Sequence, residues 1–157
     1  MTVPWQYEDK IISSIEDMPK DAIGFVYHII FTDGRQYIGK KNLYSISKVK
    51  PLKSGKPRAN RISEIKLNTG YGYRETYEVI KKESNWKTYQ GSHKDCKNKT
   101  PEQKYIIAYA YNKLELTYLE AKALFTYSVL ERPSFLNDNI LGSFYRSALY
   151  DDQFAKL

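Results

Sequence analysis

GFVYHIIFTDGRQYIGKK, residues 24–41, decides how the chain begins to fold. Phe25, Tyr27, Ile29 and Phe31 point one way, and Val26, His28 and Ile30 the other. That is the period of a strand. Thr32-Asp33-Gly34 is a turn signal, and Arg35 to Gly39 reads as the returning strand. The length of the turn decides where the tyrosines go. A two-residue Asp33-Gly34 loop pairs Ile30 with Tyr37 and sends Tyr27 and Tyr37 to opposite sides. A three-residue Thr32-Asp33-Gly34 loop pairs Phe31 with Arg35, Ile29 with Tyr37 and Tyr27 with Gly39, and both tyrosines share a face. The second register fits the commoner three-residue hairpin, a type I turn closed by Gly in the left-handed conformation. A slip of one residue would reverse every side chain. In the shared-face register Gly39 leaves open space beside the Tyr27 ring, suited to a close backbone or a ligand.

Outward from the hairpin the signals are coarser. Ile11 to Met18 reads as a short helical or irregular lead-in ended by Pro19. After Gly39 comes a basic stretch containing Lys-Ser-Gly-Lys-Pro, expected to be loop, and residues 71–82 hold a short helix or strand. Ile106 to Tyr111 is apolar and aromatic, as a third strand would be. Thr117 to Leu130 is the best helix, with Leu119, Ala123, Tyr127 and Leu130 as its apolar stripe. Arg132-Pro133 ends it. No internal repeat and no low-complexity tract is visible.

A chain of 157 residues fits one domain and can bury a core without disulfide or metal. Its single cysteine, Cys96, has no internal partner, which suits a reducing cytosol. No apolar run reaches the roughly 20 residues of a membrane span. MTVPWQYEDK lacks the basic-then-apolar order of a signal peptide, so the expected location is cytoplasmic. The 25 Lys and Arg against 18 Asp and Glu give a net charge of +7, which favours a polyanionic partner. Nine basic residues against the single acid Glu64 lie between Lys40 and Lys66. Such a run is either a solvated loop or a nucleic-acid contact surface.

FVY (25–27) ten residues before YIG (37–39) resembles the paired signature of the GIY-YIG nuclease superfamily, with Phe25-Val26 in place of Gly-Ile. YIGKK, ESNWKTYQGS (83–92), LELTYLEAK (114–122) and FLNDNI (135–140) follow in that order. The combination is similar to the phage-encoded SegE-like group of GIY-YIG endonucleases. The likeness spans roughly residues 22–142, with 40–85 as a basic insert region and 143–157 as a C-terminal extension carrying no recognisable motif. It implies an α+β fold, a small three-stranded antiparallel sheet flanked by helices. It implies hydrolysis of DNA phosphodiester bonds with Mg²⁺ or Mn²⁺ held by a helical glutamate. The protein would act in the cytoplasm, that of a host cell if phage-encoded, as a monomer or homodimer and away from membranes.

Residue by residue, Tyr27 and Tyr37 match the signature tyrosines, Glu120 the metal ligand, and Asn137 the asparagine beyond the helix. Tyr89 sits where the family carries a supporting His or Tyr, with His93 held in reserve. Lys40 falls where several members carry a lysine, although strand parity favours Lys41 if the strand runs that far. Lys40 is preferred because strands often end at such a glycine. The family arginine is assigned to Arg61, then Arg58, then Arg74. Lys41, Lys48, Lys50, Lys53, Lys56 and Arg58 are the expected DNA contacts.

These side chains suit the reaction. A phenol with a usual pKa near 10 becomes a base beside a cation such as Lys40 or a metal-bound water; that role goes to one tyrosine, Tyr27 by preference, with Tyr37 supporting it through hydrogen bonds. A guanidinium grips two phosphate oxygens at once. Mg²⁺ keeps several waters, so one carboxylate suffices. Plainer readings stand beside these. Thr117-x-x-Glu120 is also a capping box, Asn137 a turn residue, and Trp86 and Tyr89 core. Two alternatives to an enzyme are a nucleic-acid-binding module that keeps the fold without catalysis, and a partner-binding protein whose charge serves solubility.

Overall fold

The computed structural model describes residues 2–68, 70 and 72–149. It divides into two units, residues 1–42 with 85–157, and residues 43–84. In the first, β1 (Trp5–Tyr7), β2 (Lys10–Ile12), β3 (Gly24–Phe31), β4 (Gln36–Asn42) and β8 (Pro101–Ala110) form one sheet in the order β2-β1-β8-β3-β4. The expected three-stranded sheet is its β8-β3-β4 half, and its strands are antiparallel. The correction is at the other edge. There β1 pairs parallel to β8, Trp5 opposite Lys104, and the β1–β2 hairpin takes in Ile11 and Ile12 of the expected lead-in, the rest of which carries a single 3₁₀ turn at Ile15–Asp17.

The 24–41 hairpin takes the three-residue register. Ile29 opposes Tyr37 and Tyr27 opposes Gly39. Phe31 N donates to Arg35 O at 2.8 Å, Gly34 N to Phe31 O at 2.9 Å, and Gly34 has φ +86°. That left-handed φ is why glycine closes the turn. β4 does not stop at Gly39 but runs to Asn42.

The two faces of the sheet are packed differently. On one, Val26 and Ile38 meet Leu116, Ala123 and Leu124 of α1 (Lys113–Thr126), together with Val129, Leu130, Phe135 and Ile140. On the other is an aromatic layer in which Phe25 contacts Trp5, Trp86 and Tyr109 edge to face. A register shift at Val26/Tyr27 lets Ile106 and Tyr109 of β8 share that face despite their odd spacing.

α1 begins four residues before the expected start. Asn112 caps it, its side chain accepting from Glu115 N at 2.8 Å, while Glu115 Oε1 accepts from Tyr111 N at 2.8 Å. The cap therefore does not use Thr117 and Glu120, which lie inside the helix. Beyond α1, residues 134–137 run along the outer edge of β4. Gln36 N donates to Ser134 O, Leu136 N donates to Gln36 O, and Asn137 brackets Ile38. Asn139–Ile140 (β9) and Phe144–Tyr145 (β10) form a small ribbon. Arg146 then donates to the carbonyls of Val129, Arg132, Phe135 and Asn137, bracing this segment from inside. Residues 150–157 of the expected extension lie outside the described residues.

The second unit is not a loop. β5 (Tyr44–Val49), β6 (Arg61–Asn68) and β7 (Arg74–Glu83) form an antiparallel sheet in the order β5-β7-β6. The β5–β6 connection, with Lys50, Lys53, Lys56 and Arg58, is irregular. Glu78 is buried on β7 and accepts from the Arg58 backbone N at 3.0 Å and its guanidinium at 3.3 Å.

Candidate active site

The outer edge of β4 carries a basin of about 340 Å³. It is lined by Tyr37 and Ile38 of β4, Ser92 and His93 of the 90–93 turn, Glu120 and Leu124 of α1, and Asn137 to Asn139 with Leu141. Three residues expected at the site, Tyr37, Glu120 and Asn137, thus converge from three elements. Tyr37 comes from the aromatic face and Glu120 from the helix packed on the other face. They meet because β4 is the last strand of the sheet.

Tyr37 Oη shares a hydrogen bond of 2.8 Å with Ser92 Oγ, in which either oxygen can donate. Its phenol is pushed up to about 12, chiefly by burial, while the Ser92 bond works the other way. Burial also raises the Glu120 carboxyl above its usual range. The Lys40 ammonium and backbone amide pull it partly back. Lys40 Nζ itself donates to Thr117 Oγ1 at 2.9 Å. Lys40 therefore serves the helix face and Glu120, not the tyrosines. Because β4 continues past Gly39, Lys41 takes the tyrosine face, its Nζ 4.1 Å above the Tyr89 ring and 2.7 Å from Asn85 Oδ1.

Tyr27 is placed differently from the expectation. It is 0% exposed, between the rings of Trp5, Tyr37 and Tyr89. Burial, with the neighbouring Tyr89 and Tyr37 phenols, holds its own phenol well above the ordinary value. The space opposite it is not open either. A Cβ on Gly39 would stand 2.5 Å from Tyr27 Oη, so Gly39 makes room for Tyr27 itself. The first choice of base thus lacks solvent contact, and the accessible signature tyrosine is Tyr37.

Asn137 is buried and its amide is spent on the strand edge. Oδ1 accepts from Ile38 N at 3.1 Å and Nδ2 donates to Ile38 O at 2.7 Å. It fixes β4 where the basin begins, a role the sequence did not suggest. Ser92, His93 and Asp138 also line the basin. His93 Nδ1 accepts from Asp95 N at 3.1 Å, and its Nε2 lies 3.6 Å from Asp138 Oδ2. The only sequence signal for this group is the Gly91-Ser92 break. Gly91 has φ +111° and a Cβ there would meet Cys96 Sγ at 2.8 Å, so the backbone is pinned just before Ser92.

Arg58, Arg61 and Arg74 belong to the second unit, as do Lys48, Lys50, Lys53 and Lys56. Arg58 is engaged with Glu78 and the Lys50 carbonyl. Arg61 pairs with Glu64 at 2.9 Å. Arg35, Arg132 and Arg146 of the first unit each donate to backbone carbonyls. Among the described residues no group of three or more His, Cys, Asp or Glu is placed to cage a metal, and no helix is long and apolar enough to cross a membrane.

No curated protein and no solved structure matches the chain significantly. A family model does, the one described as "Putative endonuclease segE, GIY-YIG domain", over residues 5–140. That span starts at Trp5 and so includes the β1–β2 hairpin, which pairs with β8 as part of the same sheet. With both signature tyrosines side by side and the matched segment covering most of its length, the chain belongs to the SegE-type GIY-YIG endonuclease family.

Proposed function

We propose that this protein is a divalent-metal-dependent DNA endonuclease that hydrolyses phosphodiester bonds at the β4 edge. It would be phage-encoded, of homing type or related, and act in a reducing cytoplasm. The observation that carries the reading is the convergence of Tyr37, Glu120 and Asn137 on one open basin. The donor set there fits a hard ion. Glu120 brings a carboxylate to the basin, and Ser92 and Asp138 line it with further oxygen atoms. Glu120 would hold Mg²⁺ or Mn²⁺, which need few protein ligands. When bound, the ion neutralises charge on the phosphate and at the leaving oxygen.

The remaining roles belong to the chain itself. Tyr37 Oη, exchanging its hydrogen bond with Ser92, orients the attacking water. Tyr27 wedges Tyr37 in place from behind. Asn137 keeps Ile38 and the strand edge fixed. Lys41 and Tyr89 form a cationic and aromatic surface on the tyrosine face suited to a nucleic-acid backbone and its bases. The guanidinium for the phosphate is proposed to be Arg61, then Arg58. Arg61 is the easier of the two to release, since its partner Glu64 is exposed and its ion pair is worth little in water.

Supercoiled plasmid incubated with and without Mg²⁺ tests the reading. Wild type is expected to nick it only with the metal. Glu120→Gln and Tyr37→Phe are each expected to lower the rate by about 10²-fold or more. Salt-sensitive binding without nicking, unchanged by Glu120→Gln, would instead mark a non-catalytic binding module.

A further inference from the structure

α1 is apolar on two sides. Its inner side carries Leu116, Ala123 and Leu124. Its outer side carries Leu114, Tyr118 and Phe125, which are 82%, 63% and 53% exposed. At about 100° per residue these three and Ala121 fall within roughly 60° of one another. Phe144 of β10, 52% exposed, extends the stripe by packing edge to face on Phe125 at 5.6 Å. At about 200 Å² for each whole side chain, the four large residues expose on the order of 500 Å² of apolar surface. That is near the upper end for a monomer. With its polar border it approaches the roughly 800 Å² that each partner contributes to a stable interface.

The border of the stripe suggests what covers it. Glu115 and Lys122 stand on the same side of the stripe, seven residues apart, or about 10.5 Å along the axis. In an antiparallel pair of α1 helices related by a two-fold axis, that border faces its own counterpart. Glu115 of one copy then meets Lys122 of the other, and this happens twice. The midpoint of Glu115 and Lys122 coincides, within about one residue, with that of Leu114 and Phe125. One axis therefore aligns both sets, with Leu114 on Phe125 and Tyr118 near its own counterpart. A surface complementary to itself in shape and charge is the requirement for an isologous contact. A DNA-facing surface would instead carry unpaired cations along its centre.

We propose that the outer face of α1 is a homodimer interface, formed by antiparallel packing of the Leu114–Tyr118–Phe125–Phe144 stripe with Glu115–Lys122 pairs at its border. Glu120 lies roughly 130° around the helix from the centre of the stripe, so the contact leaves each basin open.

Sedimentation equilibrium of the full chain from about 1 to 100 µM tests this. Wild type is expected to move from the mass of one chain towards twice that mass. Leu114→Glu, at an exposed position in the first turn where an acid favours the helix, is expected to weaken association at least tenfold with no loss of melting temperature. Lys122→Glu and Glu115→Lys are each expected to weaken self-association, and their equimolar mixture to restore it, because each chain then supplies the charge the other lacks. Wild type that stays at the mass of one chain throughout overturns the proposal. So does a folded Leu114→Glu variant that pairs as tightly as wild type, or a mixture that pairs no better than its components.

Discussion

Gly39 and Lys104 show how single positions in the aromatic layer set the behaviour of the sheet. Adding one methyl at Gly39 brings a Cβ within 2.5 Å of Tyr27 Oη, 2.7 Å of Tyr27 Cζ and 3.1 Å of Tyr37 Cε1. The Tyr27 ring is fully buried among others, so it cannot swing away cheaply. Gly39→Ala is expected to cost about 1–3 kcal/mol in chemical unfolding, with the near-ultraviolet tyrosine signal altered. An unchanged midpoint would mean the layer is looser than drawn. Lys104 is 1% exposed beneath the Trp5 ring, its Nζ 4.2 Å from the ring centroid and 3.3 Å from Lys87 O. Burial brings its ammonium down to about 8. Below that pH both folded and unfolded chains carry the proton, and the fold bears a desolvation cost on the order of 3 kcal/mol, partly offset by the ring and the carbonyl. Between about 8 and the unfolded value near 10.5 only the unfolded chain keeps the proton, so stability rises with pH across that window. Lys104→Met is expected to be more stable than wild type by about 1–2 kcal/mol at pH 7. The gap should narrow as the pH is raised towards 10, followed by urea melts at each pH.

The elements differ in how plainly the sequence announces them. The 24–41 hairpin was legible down to its register, because a three-residue turn with Gly at its left-handed position leaves one pairing open to it. β8 was legible in its apolar half, Ile106 to Ala110, but not in Pro101 to Tyr105, where Lys104 interrupts the pattern. The insert was not legible as a sheet. RISEIKLN alternates, but almost all of it stays exposed, so it lacks the apolar face by which a strand is recognised. Convergence on the basin was only half legible. Tyr37 and Glu120 announce themselves by motif, but Asn137 works through the Ile38 backbone, and that depends on pairing geometry no spacing reveals. The start of α1 was misplaced because Thr117-Tyr118-Leu119-Glu120 imitates a capping box, whereas the helix is capped at Asn112, whose side chain accepts from Glu115 N. A paired measurement separates the two. Asn112→Ala is expected to lower stability by about 1 kcal/mol. Thr117→Ala removes only a back-bond to the Lys113 carbonyl and the Lys40 contact, so it should cost less than half as much. The reverse order in thermal melts would move the helix start back to Thr117.

At the level of the whole molecule, the cluster facing α1 and the ring pairs of the aromatic layer are formed among residues of the first unit. The insert enters and leaves through one point, since Ser84 N donates to Leu43 O at 2.8 Å and Tyr44 opposes Glu83. A two-residue Asn-Gly turn between Leu43 and Ser84 can therefore close the gap with the geometry of a tight hairpin. The shortened protein is expected to melt cooperatively and to keep its near-ultraviolet dichroism, because burial in both cores is retained. Its activity then reports on the missing guanidinium. Arg35, Arg132 and Arg146, the arginines left in the shortened chain, all donate to backbone carbonyls, Arg146 to four of them. Loss of Mg²⁺-dependent nicking with the fold intact is thus the expected result, and Arg61→Ala in the full chain should reproduce it without affecting the melt. If the shortened protein still cleaves, the phosphate is neutralised by Lys41 or another cation of the first unit, and the arginines of residues 43–84 serve only to hold the insert together.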